Sequence, residues 1–330
     1  MASTEKTLLL LKPRGFCAGV VRAIDIVRIA LETFGAPIYV RKEIVHNRFV
    51  VEELQQKGAI FVDEIEEVPS GERVIYSAHG VSPEVREASK ARKLRVIDAT
   101  CPLVTKVHVE AVKFAKDGYS LILIGHRDHD EVVGTMGEAP DVTQVVGSVE
   151  EVANLQVPDP EHVAYLTQTT LSLDETRDII AALKEKFPTI KGPAAQDICY
   201  ATENRQTAVK QTSSNVGLLL VVGSNNSSNS KRLVEVARTL GTNSHLIENF
   251  TAIEREWLEG VQTVALTAGA SAPEILVEKT VEFLQESGFT NVQEVEVMPE
   301  NVRFGLPAEI IEAIRETPKP FVGVGSLAGN

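Results

Sequence analysis

The chain has 330 residues, 43% of them hydrophobic and 24% charged, with a formal net charge of −13. That length exceeds what one core usually supports, so two or three units of ~100–150 residues are expected. The acidic balance argues against nucleic acid or an anionic membrane surface as partner. No apolar run approaches the ~20 residues that span a bilayer, and residues 1–12 lack signal-peptide features, so the expectation is a cytoplasmic protein.

Strand-like and helix-like segments alternate along the chain. Residues 7–11 read as a buried strand, and Val20, Ile24, Val27, Leu31 and Phe34 then fall at helical spacing, closed by Gly35. Further strands are expected at 73–76, 95–97, 121–124, 163–166, 216–222 and 261–266. Helix starts follow at Ser82-Pro83, Cys101-Pro102 and Ser271-Ala272-Pro273, with proline in the first turn, and residues 172–175 read as a capping box. This alternation predicts parallel α/β structure, with ligands at loops beyond the strands' C-terminal ends.

Three cysteines are too few and too scattered for a disulfide scaffold. Inert core thiols are one reading of them. Yet Cys17, Cys101 and Cys199 each lie where a strand or loop passes into a helix, in GFCAGV, ATCPLV and DICYAT. His46, His129 and Ser228 follow them by 29, 28 and 29 residues; His79, Thr170 and Ser271 follow at 62, 69 and 72. These offsets predict an internal repeat of about 90 residues. Its bounds are 19–101, 102–195, and 196–305 together with 1–18, with a C-terminal tail at 306–330. Three such units around an axis would gather three thiols and three sets of polar loops. The GSNNSSNS stretch, which by composition alone reads as a linker, then occupies the place of a histidine loop and faces the centre.

Three thiolates with one open position suit either a Cys₃-plus-water zinc site or a 4Fe-4S cluster with a free iron. Spacing does not separate the two. The surrounding loops offer hydroxyls, amides and imidazoles, several near helix N-termini. Hydrogen bonds to a charged group contribute roughly 1.5–3 kcal/mol each, so such loops could hold a diphosphate without arginine. No GxxxxGK[ST] is present, and Gly323-Val324-Gly325 opens no helix, so electrons for any reduction must come from another protein.

Taken together, PRGFCAGV, VHN, SAHGVS, DATCPLVTKVH, TQTTLS, DICYAT, GSNNSSNS and TAGASAP resemble the LytB family, in unbroken order from about residue 8 to 305. The resemblance implies an iron–sulfur oxidoreductase of isoprenoid biosynthesis. Its reaction is the last step of the non-mevalonate pathway, reductive dehydroxylation of 4-hydroxy-3-methylbut-2-enyl diphosphate to isopentenyl and dimethylallyl diphosphate. It implies three α/β units in a trefoil around a 4Fe-4S cluster held by Cys17, Cys101 and Cys199. His46, His79, His129, Ser227, Ser228, Asn229 and Ser271 would bind diphosphate, Thr169 would sit by the substrate hydroxyl, and Glu131 would relay protons, with His129 beside it. A ferredoxin or flavodoxin donor and a monomeric chain are the accompanying expectations. Two positions depart from common family patterns: Asp130 stands where many members have proline, and Asn225 where many have lysine.

Two rival classes share some of these features. A cluster-dependent dehydratase or quinolinate-synthase-like enzyme also combines three thiolates with an open iron, but the SSN and TQTT loops count against it. An iron–sulfur sensor would bind DNA or a partner, which the charge of −13 disfavours.

Overall fold

A computed structural model describes residues 5–316; of the expected C-terminal tail, residues 317–330 lie outside it. In chain order it begins with β1 Thr7–Lys12, α1 Ala18–Phe34, β2 Ile38–Arg41, α2 Arg48–Gln56 and β3 Ala59–Val62. β4 Arg73–Tyr76, α3 Pro83–Ala91, β5 Arg95–Asp98, α4 Pro102–Lys116, β6 Ser120–Ile124 and α5 Asp130–Glu138 follow. Next come β7 Thr143–Val146, α6 Val149–Ala153, β8 Val163–Thr167, α7 Leu173–Lys186 and α8 Tyr200–Ser213. The chain continues with β9 Leu218–Val222, α9 Ser228–Thr239, β10 Ser244–Ile247, β11 Thr263–Ala268, α10 Glu274–Glu286, β12 Asn291–Glu296 and α11 Ala308–Glu316.

The described residues fall into two compact units. One gathers the residues up to Cys17, His46–Arg48 and Cys199–Val302; the other holds Ala18–Val45, Phe49–Ile198 and the residues from Arg303 on. The first unit carries one sheet of order β10-β9-β11-β1-β12, parallel throughout. The interior strand β9, LLLVV, is buried at every residue, as a parallel strand covered on both faces must be. Leu218, Leu220 and Val222 join the core under α10, whereas Leu219 and Val221 pack with Leu233, Val234 and Ala237 of α9. The edge strand β12, NVQEVE, is mostly exposed, and its carboxylates keep that edge solvated.

The second unit carries two further parallel sheets, β3-β2-β4-β5 and β7-β6-β8. The α/β class and parallel pairing expected from the alternating pattern are therefore present. The starts at Ser82-Pro83 and Cys101-Pro102 are also found, each with proline in the first turn, and the Ser172 hydroxyl accepts the Glu175 amide at 3.3 Å. At α10 the helix opens one residue later than expected, with Pro273 itself at the N-cap. Among the described residues no helix is long and apolar enough to cross a membrane.

Candidate functional site

Two glycines shape the first unit's polar loop. Gly223 and Gly269 follow β9 and β11, and a Cβ at either would collide with the Ser230 side chain. Their missing side chains let the start of α9 close onto the strand ends. The Ser227 hydroxyl caps α9, accepting from the Ser230 amide at 3.3 Å and from the Ser230 hydroxyl at 3.0 Å. Ser271 Oγ lies 3.5 Å from Ser227 Oγ and donates to the His46 carbonyl at 2.9 Å. Asn229 is buried; its Oδ1 accepts from the Ala270 amide at 3.0 Å and its Nδ2 donates to Thr202 Oγ1 at 3.2 Å. Thr202 Oγ1 in turn lies 3.2 Å from Cys199 Sγ, and the Cys17 amide donates to the Ala270 carbonyl at 3.1 Å. The expected loop residues Ser227, Asn229 and Ser271 are thus brought together with His46 and with the segments bearing Cys17 and Cys199. Ser228 stands half-buried at the first position of α9, and Asn225 is exposed.

In the second unit, His129 is the N-cap of α5, its Nδ1 accepting the Glu131 amide at 3.2 Å. Because an amide can only donate, Nδ1 carries no proton, and the neutral ring holds its hydrogen on Nε2 as a donor. Asp130 takes the first position of this helix and is half-exposed. Proline and carboxylates are both favoured there, so the departure from the family pattern leaves the helix start intact. Glu131, 3% exposed, accepts the Thr169 amide on Oε1 at 2.6 Å and faces the Thr169 hydroxyl from Oε2 at 3.0 Å. Burial pushes its carboxyl up to about 7, against the two Thr169 hydrogen bonds, with the nearby Asp197 charge adding to the rise. His79 lies edge-on to His129, ring centroids 5.8 Å apart, and its Nδ1 is 3.3 Å from Ser77 Oγ. The Cys101 amide donates to the Ala78 carbonyl at 3.0 Å, tying that cysteine to the SAHG loop.

All three cysteines are free thiols of intermediate exposure. Cys17 directly precedes α1, and Cys101 and Cys199 are the N-caps of α4 and α8. As a donor set, three accessible cysteines outside any disulfide suit a metal or iron–sulfur centre.

Several contributing residues were not singled out from the sequence. Asp197, two residues before Cys199 within DICYAT, is buried, accepts from Lys106 Nζ at 2.8 Å and from the Thr167 amide at 2.9 Å, and is itself pushed up to about 6 by burial. Arg205, fully buried, donates to Glu300 and to the Gly15 carbonyl, bracing the loop before Cys17. Asp197 and Thr202 both lie within the DICYAT motif, which drew notice for its cysteine; Arg205, in ENRQT, lies outside the motifs and carried no sequence signal.

The LytB protein family matches residues 8–285. A 4-hydroxy-3-methylbut-2-enyl diphosphate reductase of Streptomyces coelicolor is 54% identical over 322 residues, covering 97% of this chain and 95% of that protein. One of Aromatoleum aromaticum is 55% identical over 306 residues, covering 93% and 98%. Among solved structures, the E-1-hydroxy-2-methyl-but-2-enyl-4-diphosphate reductase of Plasmodium falciparum superposes with a TM-score of 0.92 at 43% identity, covering 94% of this chain and 99% of that one. With the family model matched over residues 8–285 and relatives more than half identical across most of their length, the chain belongs to the LytB family.

Proposed function

We infer that the chain is a 4-hydroxy-3-methylbut-2-enyl diphosphate reductase, an iron–sulfur oxidoreductase of isoprenoid biosynthesis. The reaction consumes two electrons and two protons, breaks the allylic C–O bond, and releases water with isopentenyl or dimethylallyl diphosphate. The observation that carries the reading, beside the family, is the buried Glu131–Thr169 pair. The Thr169 amide and hydroxyl donate to Oε1 and Oε2 of the carboxylate. When the acid is protonated the amide still requires Oε1 as acceptor, so the proton enters at Oε2 and the Thr169 hydroxyl turns from donor to acceptor. A hydroxyl accepts and donates at once, so Thr169 can pass that proton to a departing substrate oxygen while Glu131 refills it. A carboxyl at about 7 is half protonated at neutral pH, the range suited to a general acid.

For the cofactor, Cys17, Cys101 and Cys199 would hold a 4Fe-4S cluster with one open iron. Their placement at three helix starts supports this, as does the lack of any further cysteine. When bound, the cluster supplies single electrons and a Lewis-acidic iron. The chain's own groups do the rest: the Nε2–H of His129 donates toward diphosphate oxygen, as would His46, His79, Ser227, Ser228, Asn229 and Ser271. The threefold division at 19–101, 102–195 and 196–305 plus 1–18, and the trefoil it implies, belong to the same proposal; each of the three sheets falls within one of those ranges. So do a ferredoxin or flavodoxin donor, a monomeric chain and a cytoplasmic location.

The test is anaerobic turnover with a reduced viologen, with products resolved as isopentenyl and dimethylallyl diphosphate. Formation of neither by iron-loaded protein overturns the assignment.

A further inference from the structure

The first unit contains a chain of hydrogen bonds whose direction is forced. Ala270 N–H can only donate, so the Asn229 atom facing it at 3.0 Å is the oxygen, and the amide nitrogen points to Thr202 Oγ1 at 3.2 Å. With Cys199 a ligating thiolate, which can only accept, the Thr202 hydroxyl that receives from Asn229 turns its own proton to Cys199 Sγ at 3.2 Å. The Thr202 amide points at the same sulfur from 3.4 Å. Thr202 is fully buried and Asn229 nearly so, so water does not compete for either group.

We propose that Thr202 is a positioning residue that raises the electron affinity of the centre ligated by Cys199, through a hydroxyl proton aimed at the sulfur by Asn229. The proposal rests on the reading of Cys199 as a cluster ligand. Hydrogen bonds to ligating sulfurs stabilise the more negative, reduced state and shift the potential upward. Asn229 also belongs to the loop assigned to the diphosphate, so a ligand that pulls on its amide changes the donation to Cys199. Substrate occupancy and electron uptake are thereby linked through two side chains.

The test is a mediator-poised dithionite titration of anaerobic holoenzyme, followed by the cluster's visible absorbance and by EPR, after iron and sulfide have been counted per chain. Thr202→Val should lower the constant for one-electron reduction roughly tenfold, about 59 mV, and Thr202→Ser should restore it. If Thr202→Val does not load, Thr202→Ala carries the same expectation. An iron-free wild type overturns the cluster reading itself. A loaded Thr202→Val or Thr202→Ala at the wild-type potential overturns the role of Thr202 and leaves the cluster reading standing. A fall that Thr202→Ser fails to rescue also overturns that role, because it would trace to packing of the methyl group.

Discussion

Replacing Glu131 with glutamine removes one titrating group from a buried pocket while nearly preserving its shape. The wild-type carboxyl moves from an ordinary 4.5 to about 7 on folding. At ~1.4 kcal/mol per pH unit, ionising it in the folded chain therefore costs roughly 3 kcal/mol. The sign follows from the two protonation states. Below 4.5 the acid is neutral in both folded and unfolded chains and no cost arises. Between 4.5 and about 7 only the unfolded chain's acid ionises, so stability falls across that window; above 7 both states are ionised and the full penalty remains. The stability of Glu131→Gln relative to wild type should therefore rise by up to ~3 kcal/mol between pH 4.5 and 8.5. Turnover should move the opposite way: at least ~100-fold lower in the variant, the usual contribution of a positioned acid. In wild type, turnover should fall as pH passes about 7, where Glu131 loses its proton. Anaerobic unfolding at several pH values and turnover with a chemical electron donor measure both quantities. Asp130→Asn serves as the control; half-exposed at the helix start, it should stay within a few-fold of wild type. A pH-independent stability difference, or a dead Asp130→Asn beside an active Glu131→Gln, would refute the assignment of the proton to Glu131.

Thr169→Val keeps the amide bond to Oε1 but deletes the hydroxyl facing Oε2. Losing a bond that favours the carboxylate should move the upper limb of the pH–rate profile above 7 while turnover falls. Serine in place of any one of Cys17, Cys101 or Cys199 should abolish cluster assembly, read as iron and sulfide per chain. Ser227→Ala removes the cap of α9 and the acceptor of two Ser230 hydrogen bonds. It should cost ~1 kcal/mol in denaturant unfolding and raise KM more than it lowers kcat. Arg205→Met strips a buried cation from Glu300 and from the Gly15 carbonyl. With Glu300 left only the Asn204 amide as partner, a loss of ~3 kcal/mol is expected in the same unfolding measurement.

Local sequence determined the element types of this protein. Runs such as LLLVV can only be covered strands, and proline after Ser82 or Cys101 starts a helix wherever the chain goes, because these preferences act within a few residues. Strands β2, β3, β7 and β10 have four residues each, and β12, though six long, is polar and mostly exposed; their pairing to neighbours revealed them. The sequence also singled out polar positions at recurring offsets, His46, His79, His129, Thr170, Ser228 and Ser271, while family likeness added Glu131, Thr169, Ser227 and Asn229 and selected Glu131 over Asp130. Only the tertiary structure decided what makes these residues work. Burial, which lifts the Glu131 carboxyl to about 7, arises from packing between α5 and the loop after β8, segments nearly 40 residues apart in sequence. Asp197 reaches Lys106 across 91 residues and Arg205 reaches Gly15 across 190, while Thr202 meets Asn229 across 27. No window of local sequence contains both ends of such a contact, and desolvation and hydrogen-bond direction exist only once the chain has closed around them.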